Sequence, residues 1–126
     1  MTHADIQKDV VAKYNITLDE HSKCWCRTHA HVKERRVCKW HPKNSMDSTF
    51  TLLHEIGHIE TTTSSMRRCE SEYYATQWAL ETAKKYKLNI PDKIVDSYQR
   101  YINMELDRGK RRGGKNYPSE LNLRTA

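Results

Sequence analysis

The chain has no apolar run approaching the ~20 residues of a membrane-spanning helix, which sets membrane insertion aside. Its opening residues, Met1-Thr2-His3-Ala4-Asp5, lack the basic start and apolar stretch of a secretory signal. A cytoplasmic protein is therefore expected, with its four cysteines reduced. There is no internal repeat, so the pattern is not that of a repeat array. Net charge is nearly absent from most of the chain. Within 108–126, Arg108, Lys110, Arg111, Arg112, Lys115 and Arg124 face Glu120 alone, so +5 of the total +6 lies there. The pI of 9.2 thus says little about nucleic-acid binding by the folded part. Basic residues interleaved with exposed aromatics, which a base-stacking surface needs, are also scarce: Tyr98 and Tyr101 have Arg100 for company.

What is present fits one small domain. A chain of 126 residues with 37% hydrophobic residues can bury a modest core, and a bound metal would help to hold it together. Residues 3–14 read as an amphipathic helix through Ile6, Val10, Val11 and Tyr14, ended by Asn15 and the Thr17-Leu18-Asp19 stretch. From Cys24 to His41 the pattern predicts two or three short strands, with a turn at Lys33-Glu34-Arg35-Arg36. Asp47 or Ser48 is the expected cap of a central helix from about Thr49. Two further helices are predicted, from about Arg67 to Lys87 and from Asp92 to Leu106. The glycines at 109, 113 and 114 mark a flexible basic tail over 108–126, leaving 1–107 as the domain.

The residues with the clearest chemistry are His54-Glu55-Ile56-Gly57-His58. On a helix, two histidines four apart share a face and can bind one Zn²⁺, with Glu55 as general base. A catalytic zinc usually takes three protein ligands. Glu72 is the preferred third, on the face of its helix shared by the small residues Ala75 and Ala79. Those would let that helix come close to the first. Glu70 is the rival, but it projects about 200° away, so the two cannot both reach the metal. The alternative is a chance HExxH with two packed or solvated histidines.

The segment Ser48-Thr49-Phe50-Thr51-Leu52-Leu53-His54-Glu55-Ile56-Gly57-His58 resembles the FT-hydrophobic-HELGH segment of the ImmA/IrrE-type metallopeptidases common in phages and mobile elements. Glu72-Tyr73-Tyr74-Ala75-Thr76-Gln77-Trp78-Ala79 resembles their later ExxANxFA segment. The likeness covers about residues 48–80. It implies a minimal gluzincin-like (zincin) α+β fold: a small N-terminal hairpin or sheet, the active-site helix and two more helices. It also implies zinc ligation by His54, His58 and Glu72, Glu55 as base, and a phage- or element-encoded protein in a bacterial cytoplasm. Thr76 and Trp78 stand where that family has Asn and Phe, and 13 residues separate His58 from Glu72. No helix-turn-helix segment accompanies the motif, so a repressor-cleaving role does not carry over.

Cys24, Cys26, Cys38 and His41 form a C-x-C…C-x₂-H set that could surround a second, structural zinc, with His29 and His31 as competing donors. The other readings are buried reduced cysteines or a Cys24–Cys38 disulfide, the latter disfavoured in a cytoplasm. Cys69 stands alone and reads as structural. An edge strand from this segment could bind an extended peptide, with His31, His41, Tyr73 or Tyr74 as candidate oxyanion donors. The functional expectation is a zinc peptidase acting on a protein or peptide substrate. The alternative is a catalytically silent zinc-fold module contacting a protein, acidic partner or nucleic acid through its basic tail.

Overall fold

The computed structural model describes residues 1–19, 28–118 and 121–123. Thr2 opens the first helix, α1 (His3–Lys13), through a capping box in which the Asp5 amide donates to Thr2 Oγ1 and the Thr2 amide to Asp5 Oδ2. Ile6 and Val10 are its buried apolar residues. Gln7 ties it down, its amide donating to the Lys43 carbonyl and to the buried Thr49 hydroxyl. Asn15, at φ 54, supplies the left-handed residue that turns the chain.

The sheet contains the expected strand pair within 24–41 and one strand more. Thr17–Asp19 does more than end a helix: it is β1, which pairs in parallel with β3 (Arg36–Cys38) in the register Leu18 to Val37. β2 (His29–His31) pairs antiparallel with β3 through the turn at Val32 to Arg35, giving the order β1-β3-β2. Three residues carry too little alternation to announce a strand.

The central helix α2 (Met46–Thr61) starts earlier than expected, because Ser45 caps it by accepting from the Ser48 amide. Ser48 instead ties down the preceding loop, accepting from the Lys43 amide and donating to the His41 carbonyl. Asp47 lies in the first turn, where a negative charge favours the helix dipole. Then come α3 (Arg68–Lys85) and α4 (Asp92–Arg111). The main core joins Val10, Val37 and Trp40 to Phe50, Leu52, Leu53 and Ile56 of α2 and Ala79, Leu80 and Ala83 of α3. The molecule is thus a small α+β domain of a three-stranded sheet and four helices among the described residues. None of those helices is long and apolar enough to cross a membrane.

The basic segment expected as a tail from 108 begins inside α4, which runs on to Arg111. Beyond it, Leu121 is buried in a second cluster with Cys69, Ile102 and Leu106. Arg67 stacks over the Tyr117 ring at 3.7 Å and donates to the carbonyls of Lys115 and Asn116.

Candidate metal centre

Leu52, Leu53 and Ile56 are fully buried, and they fix the rotation of α2 about its axis. That rotation turns His54 inward, 5% exposed, with His58 one turn later and half-buried. Gly57, between them, is where α3 crosses. A Cβ at Gly57 would lie 2.3 Å from the Ala75 carbonyl oxygen, so only glycine permits this approach. The crossing brings Glu72, one turn before Ala75, to the histidines. Its Oε2 lies 3.1 Å from His54 Nε2 and 3.3 Å from His58 Nε2.

The far nitrogen of each imidazole meets a hydroxyl. His54 Nδ1 is 3.0 Å from Thr76 Oγ1, which is 2.8 Å from the Glu72 carbonyl. Thr76 has one hydrogen. Given to that carbonyl, it leaves Oγ1 to accept from Nδ1–H, and the Nε2 lone pair of His54 then faces Glu72. His58 Nδ1 is 3.0 Å from Ser71 Oγ, itself 2.8 Å from Thr62 Oγ1. Ser71 can accept from Nδ1–H while donating to Thr62.

Burial pushes the His54 imidazole down, favouring its neutral form. Burial alone would raise the Glu72 carboxyl; where the imidazoles carry hydrogen on Nε2 instead, hydrogen bonds from His54 and His58 and attraction to their charged forms outweigh that and hold it below the usual carboxylate range. Glu55 responds the other way: burial, reinforced by Glu72, pushes its carboxyl up to about 7 against the opposing pull of His58 and Arg68.

The donor set fits zinc. Two ligand atoms on one tetrahedral Zn²⁺, each at 2.0–2.1 Å, stand about 3.3 Å apart. The 3.1 and 3.3 Å separations match that spacing, and the three ligand-capable atoms all lie within 4.8 Å of one another. Two imidazole nitrogens and a carboxylate converging in a buried place are satisfied either by a shared proton or by a bound cation.

Glu70 is not brought there. Its carboxylate takes Arg67 Nε at 2.6 Å at the start of α3. Glu55 shares with His54 and Glu72 the wall of an open cleft of about 760 Å³, also lined by His29, Arg68, Tyr98 and Tyr101. An adjoining hollow runs past Ala30 and Val32 of β2 and its turn to His58.

Several of these neighbours were not legible in the sequence. Tyr98 reads there as packing, and it does pack on Phe50. It also lies against the His54 ring, with centroids 4.7 Å apart. Burial and then the nearby Glu55 push its phenol up to about 12, so it stays protonated. The i, i+3, i+7 spacing of Tyr98, Tyr101 and Glu105 is the one signal that a polar face of α4 turns this way. Of the expected oxyanion donors, Tyr74 and His41 are exposed and Tyr73 packs on the second cluster. Among the described residues, Tyr98 and Tyr101 are the phenols in the cleft.

Cys24 and Cys26 lie outside the described residues. Cys38 is buried on β3, and the histidines brought to it are His29 and His31, with His41 outside that group. Cys69 is buried in the second cluster, its thiol pushed up by burial. Comparison with protein-family models, curated proteins and solved structures finds no match to this chain.

Proposed function

We propose that this protein is a small zinc-dependent metallopeptidase. The observation that carries the reading is the convergence of His54 Nε2, His58 Nε2 and Glu72 Oε2 beside a cleft that Glu55 also lines. Three protein ligands suit a catalytic site, whereas structural zinc sites are usually closed by four.

In this reading His54 and His58 hold the ion through Nε2, each ring set from behind by Thr76 or Ser71, and Glu72 offsets part of its charge. Zinc, when bound, makes its water acidic and draws electrons from the scissile carbonyl. Glu55 accepts the proton of the attacking water on its carboxylate and passes it to the departing amine nitrogen. β2 is an edge of the sheet among the described residues and borders the cleft. An extended peptide is the proposed substrate, laid along that edge by backbone hydrogen bonds. The ImmA/IrrE-type resemblance supports the same roles and a bacterial cytoplasm as the setting.

The test is cleavage of a pool of unstructured peptides by the full chain, read by mass spectrometry. Wild type should cut, and Glu55→Gln should cut about 10²–10⁴-fold more slowly with its zinc content unchanged. If wild type holds zinc yet cuts no faster than Glu55→Gln, the peptidase reading fails. A binding module acting through 108–126 would then be favoured.

A further inference from the structure

His29 and His31 are two apart on β2, so their side chains leave the same face of the sheet. The antiparallel register sets His29 directly opposite Cys38 of β3, which adds a sulfur to that face. The two Nε2 atoms are 3.1 Å apart. One ligand-capable atom from each of His29, His31 and Cys38 lies within 4.8 Å of the others. We propose that these three residues, with a water in the fourth position because the site lies at the open wall of the cleft, bind a second transition-metal ion, zinc by their ligand chemistry, that staples β2 to β3.

Two imidazoles and a thiolate are a borderline-soft set that favours zinc over calcium or magnesium. The 3.1 Å between nitrogens is close to the about 3.3 Å that one tetrahedral zinc imposes. The fold also has a use for such an ion. Each strand is three residues long, so the ladder has few hydrogen bonds to hold it. β2 nevertheless contributes His29 to the same cleft as Glu55 and Glu72. A metal bound across His29 and Cys38 would fix that wall in place. This set shares Cys38 with the Cys24, Cys26, Cys38 and His41 combination suggested by spacing; Cys24 and Cys26 lie outside the described residues, and the β2–β3 register brings His29 and His31 to Cys38.

Cobalt substitution of the full chain tests this independently of the α2–α3 centre, whose His54, His58 and Glu72 offer no sulfur. Cobalt-loaded wild type should show a thiolate-to-cobalt charge-transfer band. The band should persist in His54→Ala and disappear in His29→Ala, His31→Ala and Cys38→Ser. His31 is exposed, so His31→Ala decides the matter even where loss of the buried cysteine prevents folding; circular dichroism confirms its fold. Absence of the band from wild type overturns the proposal. So does a band that survives both histidine variants, or one lost in His41→Ala while they retain it.

Discussion

Each imidazole of the candidate centre has one nitrogen turned to Glu72 and the other held by a hydroxyl. The hydroxyls matter because a ligating histidine must keep its hydrogen on the far nitrogen and its ring at a fixed angle. Thr76 is the more constrained of the two, buried and bonded to the Glu72 carbonyl as well. Thr76→Val keeps its shape and removes the acceptor. We predict a fall in zinc affinity of about 10–100-fold, measured by competition with a chromophoric chelator. Unchanged affinity would mean that Thr76 does no more than pack. At this scale much of the centre was legible. The HExxH spacing names His54, Glu55 and His58, and the face shared with Ala75 and Ala79 favours Glu72 over Glu70. The supporting hydroxyls were less so: Thr62 follows His58 by one turn of α2, but Ser71 has no periodicity of its own, and only the docking of α3 brings it to His58.

The crossing of α2 and α3 rests on one missing side chain. At Gly57 the obstacle to a Cβ is the Ala75 backbone, 2.3 Å away, and a backbone atom cannot swing aside. Gly57→Ala should therefore destabilise the fold by about 3 kcal/mol, the upper end for overpacking, even though alanine is the better helix former. Urea denaturation measures it, and a neutral or stabilising result would show that the helices have room to part. Long, periodic elements were readable: the helices around Ile6, Phe50, Tyr73 and Ile102 occur where apolar spacing put them. The misreadings have local physical causes. β1 is too short to alternate, and its partner lies well downstream in β3. Ser45 rather than Asp47 or Ser48 caps α2, because Ser48 is engaged by the loop before it. Gly109 did not stop α4, because Tyr117 packs against that glycine and makes its small size useful.

Across the whole molecule, Arg67 joins the start of the Glu72-bearing helix to residues 115–117 through two carbonyls and a ring. Arg67→Ala should release that segment. Limited trypsin digestion should then cut after Lys115 several-fold faster, with zinc content unchanged; equal rates would mean that other contacts hold the segment. The sheet and α1 share a core with α2, and Tyr98 of α4 packs on Phe50 and His54, yet none of these elements supplies a ligand to the candidate centre. All three of its ligands fall between positions 54 and 72, on two consecutive helices. The entropy lost in closing so short a loop is small. This proximity bears on the order of folding. A chain that has formed only its α2–α3 hairpin already holds every zinc donor of that centre, whereas the sheet must first join residues 17–19 to 36–38. Pulse-labelled hydrogen exchange during refolding with zinc should therefore find amides of α2 and α3 protected before those of β1. Simultaneous protection would show that the ion arrives only after the whole domain has assembled.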